Sequence, residues 1–145
     1  MRKLITAGLA AAAIGAALGA GAGTAQADVG DGSWACNNTE ICFRKSAGSD
    51  RSIKHFFNGA NHSANARHGA YTWGGPAPGG NVTDDAREFR NRDSQCTVYV
   101  WDITSTGSWF AYAHQPAQSN TWFYDLKNRN NGHSRCSNTQ HPADL

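Results

Sequence analysis

Cys96-Thr97-Val98-Tyr99-Val100-Trp101 puts a β-branched or aromatic side chain at nearly every position. Such residues suit a pleated, packed surface, so 96–101 reads as a strand. Ser105 to Ser108 turns, and Trp109-Phe110-Ala111-Tyr112-Ala113 reads as its hairpin partner. Further out, Ile41-Cys42-Phe43 and Ser52 to Phe57 read as two earlier strands, divided by turn residues from Ser46 to Asp50. Trp122 to Leu126 reads as a later strand, and Asn130-Asn131-Gly132 marks a turn in a polar tail. Asn58 to Gly80, with Tyr71 and Trp73 embedded, is expected to be a long loop or a pair of short strands. Asp84 to Arg92 admits one or two helical turns, with Thr83 as N-cap and acids in the first turn. No segment sustains a helical period over about eleven residues. Short strands between Gly- and Asn-rich turns predict an all-β chain, a small β-sandwich or Greek key.

The start of the chain points to an exported protein. Arg2 and Lys3 precede an Ala/Gly/Leu/Ile run from Leu4 to about Ala20, and Ala25-Gln26-Ala27 closes it. This is the pattern of a secretory signal peptide, cleaved between Ala27 and Asp28. Residues 1–27 are then the signal and 28–145 a single secreted domain of 118 residues. Loss of Arg2 and Lys3 leaves eleven basic against eleven acidic residues. A neutral chain has no electrostatic footprint for nucleic acid or an anionic membrane. A monomer is expected.

Only nine residues of 28–145 are Leu, Ile or Val, while all fifteen Phe, Tyr and Trp fall there. The core is therefore expected to be aromatic, since each large ring buries about 150–250 Å². Four cysteines, Cys36, Cys42, Cys96 and Cys136, read as two disulfides in an exported chain. Three pairings are possible. The preferred one is Cys36–Cys42, which closes a short Asn-rich loop, with Cys96–Cys136, which ties the tail to a strand. Zinc is the rival use of these cysteines, but no C-x-x-C pair occurs. A loose internal repeat is also visible. Ile41-Cys42-Phe43-Arg44 followed by Gly48 recurs as Val98-Tyr99-Val100-Trp101 followed by Gly107, as if two units stacked face to face.

At these residues the chain resembles small secreted actinobacterial proteins of the βγ-crystallin-like peptidase-inhibitor type, the metalloproteinase inhibitors among them. Cys36, Ile41, Cys42 and Phe43 are similar to that family's early Cys, short loop and I-C-[LF]-[YF] strand. Thr83-Asp84-Asp85-Ala86-Arg87-Glu88-Phe89-Arg90-Asn91 resembles its N-D-x-A-S-S-V-x-N segment, and Cys96 to Trp101 its second opening strand. The resemblance implies a Greek-key β-sandwich of two pseudo-repeated units, the same cysteine pairing, and protease inhibition. The chain departs from the family in three places: an aromatic is missing before Gly48 and Gly107, Arg87-Glu88 replaces S-S, and the central loop is long.

Several chemistries are open on this frame. Calcium sites of the βγ-crystallin type use [ND]-[ND]-x-x-[ST]-S turns. Asp84 and Asp85 supply acids without hydroxyls, while Asn130, Asn131 and Ser134 supply amides and a hydroxyl without acids. Neither turn alone offers the six to eight hard oxygens of a tight site, so calcium binding is expected to be weak unless the turns pool their ligands. The six histidines, His55, His62, His68, His114, His133 and His141, show no metal-ligand spacing. Glu88, His114 and Arg90 offer the base, acid and phosphate-steadying types of a small ribonuclease, a set of common residues. Trp73, Trp109 and Trp122 are candidate glycan platforms that fit a core role better. An inhibitor needs only a stiffened exposed loop, and Asn58–Gly80 and Thr104–Ser108 are the candidates. The sequence therefore points to a secreted, non-catalytic binding protein with no cofactor, most readily an inhibitor of an extracellular protease. A calcium-binding or structural βγ-crystallin-like module is the alternative, and a small secreted hydrolase the third.

Overall fold

A computed structural model describes residues 35–49, 51–63, 70–75 and 78–142; the expected signal segment 1–27 and its cleavage point lie outside the described residues. The described chain is all-β. It contains seven strands: β1 (Ile41–Arg44), β2 (Ile53–Phe56), β3 (Ala60–Asn61), β4 (Glu88–Asn91), β5 (Val98–Ile103), β6 (Trp109–Gln115) and β7 (Gly132–Arg135). They form two antiparallel sheets, in the orders β2-β1-β4 and β3-β7-β5-β6. Two contacts cross the expected hairpin order. β3 leaves the first half of the chain to pair with β7, and Phe123 from the second half bridges Phe89 on β4.

The strand alternation explains the core. Ile41 and Phe43 on β1, Phe89 on β4 and Val98 and Val100 on β5 are all fully buried. Phe56, Trp73, Val82 and Leu126 complete the cluster. Phe43 sits at its centre, edge-on to Phe56 at 5.8 Å and stacked on Phe89 at 5.9 Å. Each such burial is worth roughly 1.5–3 kcal/mol. A few large rings thus replace the many aliphatic side chains that this sequence lacks.

The ladder strands expected around 41–43, 52–57, 96–101 and 109–113 form as β1, β2, β5 and β6, and two disulfides join Cys36 to Cys42 and Cys96 to Cys136. Gly48 and Gly107 take the positive φ values that the β1–β2 and β5–β6 turns need, 68° and 85°. Three local expectations are overturned. Asp84–Arg92 is not helical: Glu88–Asn91 is strand β4, because Phe89 is buried against Phe43 and the backbone pairs with β1. Trp122–Leu126 contributes an isolated bridge at Phe123 rather than a full strand. The polar tail holds β7, whose Gly132, His133 and Ser134 are buried. Gly132 is required there: a side chain would meet the Ala60 carbonyl at 2.8 Å and Pro142 at 2.4 Å, blocking the approach of β3.

Asn91 fastens the two sheets. Its buried side-chain amide donates to the carbonyls of Cys96 at 2.8 Å, Gln115 at 3.0 Å and Pro116 at 3.0 Å, and its backbone N–H donates to Gln115 Oε1 at 2.8 Å. β4 is thereby tied to the ends of β5 and β6.

Candidate functional site

The β5–β6 connection is the most sharply defined exposed feature. Thr104 through Ser108 are all exposed. Yet the turn is laced. Thr104 N–H donates to the Ser108 carbonyl at 2.9 Å and Gly107 N–H to the Thr104 carbonyl at 2.9 Å. Ser108 N–H donates to Thr104 Oγ1 at 3.0 Å, and Thr104 Oγ1 lies 2.8 Å from Thr106 Oγ1. Beside it runs a groove of about 730 Å³, lined by Asp84, Asp102, Thr104, Ser105, Phe110, Lys127, Asn128, Arg129 and Asn131 among others. The groove mixes both signs of charge: Arg129 Nη1 lies 3.6 Å from Asp102 Oδ2.

The other expected loop is different. Within Asn58–Gly80, Ala60, His62 and Trp73 are buried, so part of it belongs to the core; residues 64–69, with His68, and 76–77 lie outside the described residues. The reason is local chemistry. Ala60 and Asn61 find a ladder on β7, and Trp73 Nε1 donates to Asp85 Oδ2 at 3.0 Å.

The two Asx turns do meet. Asn131 Nδ2 donates to Asp84 Oδ2 at 3.0 Å, and Ala86 N–H donates to Asn130 Oδ1 at 2.9 Å. Burial, together with nearby Asp102, pushes the Asp84 carboxyl above its ordinary value against the Asn131 hydrogen bond. Several of the remaining donors are engaged within the chain. Asp85 Oδ2 accepts from Trp73 and lies 2.9 Å from Lys45 Nζ. Asn131 Oδ1 accepts from Ile103 N–H at 3.0 Å, and Asn130 Nδ2 donates to the Val82 carbonyl at 2.6 Å. Ser134 Oγ accepts from Trp101 Nε1 at 2.7 Å and donates to the Ser137 carbonyl at 2.6 Å. A calcium ion needs six to eight oxygens, mostly anionic or carbonyl. This donor set does not fit it, because Lys45 is paired with Asp85, Asp84 accepts from the Asn131 amide, and Asn130 and Ser134 are engaged within the chain. Asp84, Asp85, Asn130, Asn131 and Ser134 act as turn and sheet fasteners.

The three hydrolase candidates are divided between the two sheets. Glu88 and Arg90 lie on β4, and His114 is exposed on β6 in the other sheet. The fully buried Glu88 carboxylate accepts from Gly48 N–H at 3.0 Å and pairs with Arg44 at 3.4 Å, while Arg90 donates to the Ser119 carbonyl at 3.2 Å. Among the tryptophans, Trp73 is buried, Trp109 stacks on His141 at 5.7 Å, and the Arg44 guanidinium covers Trp122 at 3.6 Å.

Sequence reasoning missed three arrangements. His55 Nδ1 lies 3.0 Å from Glu40 Oε2, both buried beside Cys42. His62 and His133 are fully buried in contact. Asp93, 2% exposed, holds Arg135 and the amides of Gln95 and Cys96. Burial pushes the Asp93 carboxyl up, but the hydrogen bonds from Arg135, Gln95 and Cys96 outweigh it and leave it below its ordinary value. Only Asp93 left a local signal, an Asp two residues before Gln95 in Asx-turn position. No family model, curated protein or solved structure matches the chain.

Proposed function

We propose that the chain is a secreted inhibitor of extracellular proteases, built on a two-unit Greek-key frame of the βγ-crystallin type, and that it works by presenting the 104–108 turn to a protease cleft. The frame part of this reading is supported by the strand exchange. Each half of the chain lends one segment, β3 or Phe123, to the sheet of the other half. The Cys36–Cys42 and Cys96–Cys136 bridges accord with it.

The observation that carries the inhibitory part is the laced tip. A segment that enters a cleft loses conformational freedom, and a tip already held by four internal contacts loses less. A stiff turn also resists being drawn into the extended form that proteases cut. Binding of this kind asks for no catalytic group and no metal. The test is a panel of secreted metallo- and serine proteases assayed with the native chain and with Thr104→Gly. The native chain inhibits at least one of them. The variant, which loses both Thr104 Oγ1 contacts, inhibits about tenfold less, about 1.4 kcal/mol, with an unchanged unfolding midpoint. Equal inhibition by the two would remove the turn from the interface.

A further inference from the structure

We propose that His62 and His133 form one buried proton-binding site, in which a single added proton completes a hydrogen-bonded chain from Asn58 to Asn130 and couples β3, β7 and both Asx turns to pH. The argument is a count of hydrogens. His133 Nε2 lies 2.9 Å from the Asn58 carbonyl, and His62 Nδ1 lies 3.0 Å from the Asn130 carbonyl. Carbonyls only accept, so both ends of the chain require an N–H. Between them His62 Nε2 lies 2.9 Å from His133 Nδ1, and that contact requires one more. Three N–H groups are needed, and two neutral imidazoles carry two.

The neutral pair has a fallback. Asn130 Nδ2 lies 3.3 Å from His62 Nδ1 and can donate to it. The Asn130 carbonyl then faces a lone pair. The same amide donates to the Val82 carbonyl, and its Oδ1 holds Ala86 N–H. Proton uptake therefore redistributes bonds at the point where the two turns meet. A second proton is refused, because His62 Nε2 and His133 Nδ1 would then point two hydrogens at each other. Complete burial, then the charge on His62, hold His133 well below the ordinary imidazole range despite its bond to the Asn58 carbonyl.

The surroundings suit one delocalised cation. Phe43 of β1 lies edge-on to His62 at 5.0 Å, and Phe56 of β2 stacks on it at 5.1 Å with 16° between planes. Of the two, Phe56 presents its face, and an aromatic face stabilises such a charge. The other titratable groups face from farther off. Tyr71, edge-on at 6.3 Å, has its hydroxyl pushed up by burial, and Lys54 of β2 lies 5.6 Å from the Tyr71 ring. Asp84 bonds Asn131, next to Asn130. From β7, Arg135 pairs with Asp93.

The experiment is long-range ¹H–¹⁵N NMR of the histidine rings in the intact, oxidised chain, titrated from pH 8 to pH 4. The expected result is two ring N–H groups in the pair at the basic end and three at the acidic end. The Ala60, Val82 and Ala86 amides should shift along the same curve, and His62→Gln should abolish that curve. Two N–H groups throughout, four at the acidic end, or unfolding before the third appears would each overturn the proposal. The wild-type count decides alone if the variant fails to fold.

Discussion

Replacing Asp93 with alanine removes one carboxylate that satisfies three partners. Its Oδ1 accepts from Gln95 N–H at 2.7 Å, Cys96 N–H at 3.0 Å and Arg135 Nη2 at 3.2 Å, and its Oδ2 accepts from Arg135 Nε. Alanine leaves the two amides without an acceptor; the buried Cys96 amide costs about 1–3 kcal/mol, while Gln95 is exposed and water takes over much of its amide's share, about 1 kcal/mol or less. Arg135 is 31% exposed, so water takes over much of its share, which is discounted to about 1 kcal/mol or less. The expected cost is about 2–4 kcal/mol for Asp93→Ala. Asp93→Asn keeps one acceptor oxygen for both amides and is expected to cost about 1–2 kcal/mol. Urea unfolding at pH 7 reads this directly, through a fall in midpoint at constant slope. The carboxyl is depressed in the folded state, so its contribution is fully present above the unfolded value near 3.9 and is lost as pH falls through the folded one. The gap between wild type and Asp93→Ala should therefore narrow towards pH 2–3. An alanine cost below about 1 kcal/mol, or an asparagine as costly as the alanine, would refute the reasoning.

The bridges are expected to differ in weight. Chain entropy over separations of 40 and 6 residues gives about 4 kcal/mol for Cys96–Cys136 and about 2 kcal/mol for Cys36–Cys42, checked by unfolding of the paired alanine variants. Calcium at millimolar concentration should move the melting temperature very little, because Asp85 already faces Lys45 and Asp84 accepts from the Asn131 amide; a rise of many degrees, lost in Asp84→Ala/Asp85→Ala, would count against that. Stability should erode in mild acid. His133 is depressed in the folded state, so its contribution is whole above about pH 6.5 and falls below it, by up to about 1.4 kcal/mol per pH unit for one proton. Unfolding of wild type and His133→Asn across pH 7 to 5 checks the slope.

The legible parts of the fold were those written in local pattern. Val98 and Val100 alternate inward on β5 and drew the right hairpin, and Ile41 and Phe43 did the same for β1. β4 was hidden because two of its four residues are Glu88 and Asn91, polar groups whose burial is permitted by partners 40 and 24 residues away. β7 was hidden for the same reason: His133 is buried only because His62, 71 residues earlier, and the Asn58 carbonyl receive its ring nitrogens. Of the candidate sites, the 104–108 turn was visible in composition, while its lacing by Thr104 was not. The Asp84 and Asn130 turns were seen separately. Their meeting, and the Lys45 charge set against Asp85, depend on long-range contacts that no local window reports.

The central claim is inhibition, and the most direct measurement is an active-site titration of a secreted protease with the purified, oxidised chain. The account predicts activity falling linearly to near zero at one chain per enzyme, with the 104–108 turn intact by peptide mapping afterwards. Full activity across the whole protease panel at tenfold excess of the chain, or cleavage within 104–108 at substrate-like rates, would contradict it.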